Sequence, residues 1–178
     1  SLDVSANTAL TDLRCYSNQL TSLDLSQNTA LTYLDCETNQ LTSLDVSANT
    51  ALETLICYNN PLTSLNVSNN IALTTLLCIN NQLTSLDVSQ NIALTDLRCQ
   101  QNQLTSLDVR NGNNENITTF NATTNPDLTC IFVDDISYST TNWTDIDPAS
   151  NFVVNEAECD ALFTAIPDPN FEQALIEE

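Results

Sequence analysis

The feature that most constrains the fold of this chain is a phrase, LxxLxCxxNxL, that recurs every 21 residues. Its cysteines are Cys15, Cys36, Cys57, Cys78 and Cys99. A single fixed period of this length is typical of repeat proteins, in which each unit buries its apolar side only against the units before and after it. The sequence therefore predicts a solenoid with 21 residues in each turn.

Each unit consists of two similar halves, LxxLxCxxNx and LTSLDVSxNxA. Both halves alternate inward apolar and outward polar residues, as short β-strands do, whereas the many Thr, Val and Asn residues disfavour helix. We predict a mainly β solenoid of stacked parallel strands over residues 1–133. It comprises a half unit, five regular units at 10–30, 31–51, 52–72, 73–93 and 94–116, and one degenerate unit.

The period is lost over residues 134–160, where Tyr138, Trp143 and Phe152 appear, and this change indicates an irregular C-terminal cap over the open core. Cys130 and Cys159 lie outside the ladder of cysteines. A disulfide between them would close a loop of about 30 residues and stabilise the fold by about 3 to 4 kcal/mol. We predict this disulfide, and with it an oxidising compartment.

Residues 161–178 are predicted to form a linker and the start of a following module. Asp168 is a plausible N-cap, Pro169 suits the first helical position, and Phe171 and Leu175 belong to an apolar stripe, so a short helix is expected here. A helix packed on the cap is the alternative. Because Ser1 to Asn7 matches the second half of a unit, we expect further domains of the parent chain at both ends.

Charge narrows the range of partners. The chain has 23 acidic residues, three Arg, no Lys and no His, which gives a formal net charge of −20. Nucleic acids and anionic membrane surfaces are therefore poor partners. The sequence contains no run of about 18 apolar residues, so membrane insertion is not expected. No cofactor is implied. Without His or Lys, no Ser/His or Cys/His arrangement is possible, so we predict that the protein is not an enzyme.

One ladder of cysteines and two ladders of asparagines are interpreted as structural. The five repeat cysteines point inward as buried free thiols, because a straight column of single thiols has neither the geometry of a disulfide nor the tetrahedral grouping of a metal site. An Asn at the following turn would satisfy backbone groups that the turn leaves unpaired. The first asparagine ladder comprises Asn18, Asn39, Asn60, Asn81 and Asn102, and the second asparagine ladder comprises Asn28, Asn49, Asn70 and Asn91.

An acidic column runs through the second halves of the units. Its members are Asp24, Asp45, Asp87 and Asp108, with Asn66 between them. Carboxylates about 4.8 Å apart repel one another, and hydrogen bonds from flanking serines such as Ser26 and Ser47 would relieve this repulsion. A divalent cation bridging the rungs is the alternative, although the chain has no EF-hand loop and no glycine-rich calcium repeat.

The outward positions of the first half vary from unit to unit, as expected of a scaffold that presents a binding face. The variable residues align in three rows. Ile56, Tyr58, Leu77 and Ile79 are predicted to form an apolar centre on this face. The other predicted partner-binding residues are Arg14, Tyr16, Tyr33, Asp35 and Arg98. Packing of this face against another part of the parent protein is the alternative.

The unit LxxLxCxxNxLTSLDVSxN closely resembles the 21-residue nested class of bacterial leucine-rich repeats, which is common in secreted proteins of the Bacteroidota. NPDLTCIFVDD, followed by Trp143, Asp147 and Cys159, resembles the C-terminal cap of these arrays. The resemblance implies a leucine-rich-repeat solenoid, an extracellular or cell-surface location, export often by the type IX route, and binding rather than catalysis.

We therefore expect an extracellular module for protein–protein recognition in adhesion or surface assembly. The alternative is a carbohydrate-binding module, in which Tyr16, Tyr33 and Tyr58 would stack on sugar rings beside Asp35 and Glu37 as hydrogen-bond acceptors.

Overall fold

The structure is a computed structural model that describes residues 2–164. The short helix and the following module predicted within 166–178 lie outside these residues. The first halves of the units form one parallel six-stranded sheet. Its strands, in the order in which they pair, are β1 (Asp12–Arg14), β2 (Tyr33–Asp35), β3 (Thr54–Ile56), β4 (Thr75–Leu77), β6 (Asp96–Arg98) and β8 (Thr119–Asn121). The predicted mainly β solenoid is confirmed.

The second halves form a shorter parallel sheet than the sequence predicts. Its order is β10-β9-β7-β5, with β5 (Ser85–Asp87), β7 (Ser106–Asp108), β9 (Cys130–Phe132) and β10 (Asn151–Val153). In the first three regular units the LDL, LDV or LNV segment does not pair as a strand, apart from an isolated bridge between Leu2 and Leu23. The prediction of two strands in every unit is therefore wrong for these units.

The core is a set of columns that run along the solenoid axis. Leu34, Leu55, Leu76 and Leu97 are fully buried at the centre of successive strands. Burying a leucine contributes about 1.5 to 3 kcal/mol, so the columns supply most of the stabilisation. All five ladder cysteines are buried and free, as predicted, and burial raises the pKa of the Cys36 and Cys57 thiols well above the ordinary value.

Each residue of the first asparagine ladder ties its own turn to the preceding one. In Asn60, Nδ2 donates to the carbonyl oxygens of Cys36 (3.1 Å) and Cys57 (3.2 Å), and Oδ1 accepts from the backbone N–H of Leu41 at 3.0 Å. The same pattern recurs at Asn39, Asn81, Asn102 and Asn125. Asn18 is exposed, and among the described residues its side chain bonds only within its own turn, to the carbonyl oxygens of Cys15 and Tyr16.

The second asparagine ladder uses only one end of the amide. Asn49 Nδ2 donates to the carbonyl oxygens of Leu25 (3.2 Å) and Asn28 (2.8 Å). Within residues 2–164, the Oδ1 atoms of Asn28, Asn49, Asn70 and Asn91 are buried without a hydrogen-bond partner. Each residue of this ladder therefore satisfies carbonyl groups while leaving one buried acceptor unpaired, which offsets part of its stabilisation.

The turn after each first-half strand adopts a left-handed conformation without glycine. The positive-φ residues are Ser17, Thr38, Asn59, Asn80, Gln101 and Thr124, with φ between 51° and 60°. This region is unfavourable for residues other than glycine and is costly above all for β-branched ones. The position falls immediately before each residue of the first asparagine ladder, whose hydrogen bonds hold the turn.

The cap has more regular structure than predicted, because it contains helices α1 (Ile136–Asn142) and α2 (Glu156–Thr164). Helix α2 runs across the predicted boundary at residue 160. Trp143 stacks on Phe120 with ring centroids 4.3 Å apart, and its Nε1 donates to the Ile117 carbonyl at 3.0 Å. The predicted disulfide joins Cys130 of β9 to Cys159 of α2. None of the helices within residues 2–164 has the length and apolar character to cross a membrane.

Candidate binding face

The candidate site is the outward surface of the six-stranded sheet, called here the variable face. The strand register aligns its first two rows as predicted. One row is Asp12, Tyr33, Thr54, Thr75, Asp96 and Thr119, and the next is Arg14, Asp35, Ile56, Leu77, Arg98 and Asn121. Backbone bonds between turns continue the register through a third row, Tyr16, Glu37, Tyr58, Ile79, Gln100 and Thr123. The predicted alignment is confirmed.

Four apolar side chains lie together at the middle of this face. Ile56 and Leu77 are directly opposite each other on β3 and β4, and Tyr58 and Ile79 follow them on the same two turns. All four side chains are partly exposed. The structure therefore brings the predicted apolar centre to the surface and keeps it out of the core.

Both arginines of the face are already paired within their own strands. Arg14 donates to both carboxylate oxygens of Asp12 at 3.0 Å, and Arg98 donates to those of Asp96 at 2.9 and 3.1 Å. Residues two apart on a strand point to the same side, so this i, i+2 spacing in DLR brings the charges together. The sequence places Asp12 and Asp96 in an outward row, but neither they nor their pairing with the arginines were among the predicted partner-binding features, although the repeated DLR motif indicates this pairing.

Tyr33 is less accessible than its position in the row suggests, because the Arg14 guanidinium lies over its ring, 4.7 Å from the centroid. This cation–π contact covers one face of the ring. Tyr16, by contrast, is 50% exposed. The three tyrosines therefore offer unequal aromatic surface, and Tyr58 is further tied to Glu37 by a hydrogen bond from its hydroxyl, which raises the pKa of Tyr58 to about 12.

Asp35 is less accessible than expected of an outward hydrogen-bond acceptor, with an exposure of only 8%. It lies between Arg14 and Ile56 of the adjacent strands and accepts the Glu37 backbone N–H at 3.2 Å. Burial raises the pKa of this carboxyl, whereas the hydrogen bond from the Glu37 backbone and the nearby Arg14 guanidinium partly offset that rise. Within residues 2–164, neither Asp35 nor Glu37 forms a salt bridge, so neither carboxylate beside the apolar centre has a directly paired cation.

The acidic column is held by local turns. Asp24 Oδ1 accepts the Ser26 N–H at 2.9 Å, and Asp45 accepts that of Ser47 at 2.9 Å. Hydrogen bonds from these serines lower the pKa of both carboxyls. Serine donors therefore stabilise the charged form of these carboxyls, in agreement with the prediction that flanking serines relieve the repulsion along the column. Over residues 2–164, no three or more His, Cys, Asp or Glu side chains are grouped so as to hold a metal ion.

A separate open depression of about 470 Å³ lies at the cap between β10 and α2. Phe152, Val153, Ala161 and Leu162 form its apolar wall. This depression was not predicted, because α2 was not predicted.

Comparison with known proteins supports the fold. No protein-family model matches the chain, and no curated protein is significantly similar to it. Among solved structures, the functional domain of InlJ from Listeria monocytogenes, described as including a cysteine ladder, is 35% identical with a TM-score of 0.55. The match covers 77% of this chain and 38% of that one.

The leucine-rich-repeat protein LIC12759 from Leptospira interrogans is 20% identical with a TM-score of 0.54, over 85% of this chain and 52% of that one. This chain thus spans about two-fifths to half the length of these proteins. The chain has a leucine-rich-repeat-like solenoid fold, and the column of buried cysteines is a feature that it shares with InlJ by that protein's description.

Proposed function

We propose that this chain is a non-catalytic, extracellular recognition module that binds a protein partner through the variable face, in adhesion or surface assembly. The observation that carries the proposal is the cluster of Ile56, Tyr58, Leu77 and Ile79, which lies partly exposed on an otherwise regular sheet. Clustered aromatic and aliphatic side chains with a charged rim are typical of interaction hot spots. The leucine-rich-repeat fold of the similar structures supports a binding role.

The extracellular setting is supported by the chemistry of the cysteines. A disulfide such as Cys130–Cys159 persists in an oxidising compartment. The five ladder thiols are compatible with that compartment, because they are buried and burial raises their pKa, so little reactive thiolate forms. The resemblance to bacterial nested repeats suggests a Bacteroidota surface protein and type IX export, and further domains of the parent chain would present the module.

Carbohydrate binding is the weaker candidate. Stacking on a sugar needs an open ring face, yet one face of the Tyr33 ring is covered by Arg14 and Tyr58 is only partly exposed. Only Tyr16 among the three tyrosines is largely exposed. A protein partner also makes better use of the aliphatic residues Ile56 and Leu77, which offer a sugar no polar group.

The test is affinity capture of surface and medium proteins of the source organism, with the wild-type chain and two double variants as baits. Tyr58→Ser with Leu77→Ser disrupts the apolar centre. The matched control is Ile71→Ser with Ile92→Ser, since these side chains are 57% and 59% exposed and lie outside the variable face. We expect one captured protein to be lost with the first variant and retained with the control.

Thermal unfolding of each bait checks that the variants keep the fold. Equal capture by the wild-type chain and the Tyr58→Ser, Leu77→Ser variant would refute the proposed face. A glycan array run with the same three baits distinguishes the candidates, because face-dependent glycan binding without protein capture would favour the carbohydrate-binding module.

A further inference from the structure

We propose that the partner contacts the variable face with an extended chain segment that places a Lys or Arg side chain against Glu37, beside aliphatic or aromatic side chains on the apolar centre. This inference rests on the proposed function and adds the chemistry of the partner. It follows from the size of the face, from the internal pairing of its charges and from the two carboxylates left over.

The size of the face favours a segment over a globular surface. Six strands about 4.8 Å apart span about 24 Å, and three rows of side chains along each strand span about 14 Å, for a projected area of about 340 Å². A stable interface between globular proteins buries about 800 Å² on each partner. An extended segment of about seven residues, at about 3.3 Å per residue, matches the length of the face.

The pairing of charges decides which sign the segment carries. Both guanidinium groups of the face are bound by two oxygens each, Arg14 by Asp12 and Arg98 by Asp96. An acidic partner would have to compete with these carboxylates. The arginines therefore do not recruit acidic groups, and they contribute to the neutral rim of the face.

The remaining charges on the three rows are the carboxylates of Asp35 and Glu37, which adjoin Ile56 and Tyr58. Glu37 is partly exposed and lies next to Tyr58 in the third row of the face, so it presents a carboxylate at the edge of the apolar centre. Asp35 is buried beside it and adds negative potential in a region with little water to screen it. A basic side chain at this edge compensates both groups.

The net charge of the whole chain acts in the same direction. With a formal charge of −20, the molecule attracts cationic segments over a distance and repels acidic ones. Long-range attraction does not select this face, however, so local specificity must come from Glu37 and the apolar centre. Asp45, in the second half of the same unit, offers a matched carboxylate outside the face.

The experiment is selection of a phage-displayed random dodecapeptide library on the immobilised wild-type chain. Enriched peptides are synthesised, and their affinities for the wild-type chain and for the Glu37→Gln, Asp45→Asn and Tyr58→Ser, Leu77→Ser variants are measured by fluorescence anisotropy. Gln at position 37 keeps an acceptor for Tyr58 and removes only the charge. Asp45→Asn removes the same charge elsewhere.

We expect peptides in which aliphatic or aromatic residues flank Lys or Arg. Glu37→Gln should weaken their binding about 5-fold or more, Asp45→Asn should leave it unchanged, and added salt should weaken it. Peptides that depend on Tyr58 and Leu77 but lack basic residues, or that bind Glu37→Gln with undiminished affinity, would overturn this inference alone. If no enriched peptide depends on Tyr58 and Leu77, this inference fails, whereas the proposed protein-binding face is decided by the capture experiment.

Discussion

Replacing Asn60 by Ala should destabilise the solenoid, and the structure sets the expected magnitude. Asn60 Oδ1 accepts the buried Leu41 N–H at 3.0 Å, and no other partner for this donor is present among residues 2–164. An unsatisfied buried group costs about 1 to 3 kcal/mol. The carbonyl groups that Asn60 binds lose less, because Cys36 keeps a bond from Asn39 and Cys57 keeps one from Asn81.

Weakening these two carbonyl contacts adds about 0.5 to 1 kcal/mol, so we expect a total loss of about 1.5 to 4 kcal/mol in the free energy of unfolding. For a chain of this size the loss lowers Tm by about 3 to 16 °C. Urea unfolding followed by circular dichroism measures it, with the m-value reporting whether the transition remains cooperative.

The matched control for Asn60→Ala is Asn18→Ala. Asn18 donates to Cys15 and Tyr16 within its own exposed turn and accepts no backbone N–H among the described residues. We expect this control to cost less than about 1 kcal/mol. An Asn60→Ala protein with the wild-type unfolding midpoint, or an equal cost for the two variants, would refute the interpretation that the ladder works by satisfying a backbone group of the preceding turn.

Two further changes have signs that the structure fixes. Cys159→Ser should destabilise the protein by about 3 to 4 kcal/mol relative to the oxidised wild type, because it opens the loop closed by the bond to Cys130. The unfolding midpoint of this variant should match that of the reduced wild-type protein. Equal midpoints for the oxidised wild-type and variant proteins would show that the disulfide does not stabilise the fold. Thr38→Asn should stabilise the protein by about 1 kcal/mol, because a β-branched residue is strained at φ 53° and Asn tolerates this region. The reverse change at the equivalent position of the next unit, Asn59→Thr, should destabilise the protein by a similar amount. An opposite order of the two unfolding midpoints would contradict the strain argument.

The C-terminal cap was predicted from the sequence only in part. Trp143 and Phe152 indicated a cap because aromatic residues appear where the period ends, and both pack near Phe120 as that interpretation requires. The two helices were not predicted, because seven and nine residues form too few turns to give a clear apolar period. The Cys130–Cys159 pairing was predictable because these were the two cysteines outside the 21-residue ladder.

The sequence by itself determined the solenoid, the inward columns and the alignment of the three outward rows. It could do so because a period of 21 residues brings equivalent positions into register wherever one turn stacks on the next. Tertiary structure alone decided which outward groups are available. The coverage of Tyr33 by Arg14, the burial of Asp35 and the left-handed turn at Thr38 depend on side-chain and backbone geometry between adjacent turns, and the repeat pattern does not specify that geometry.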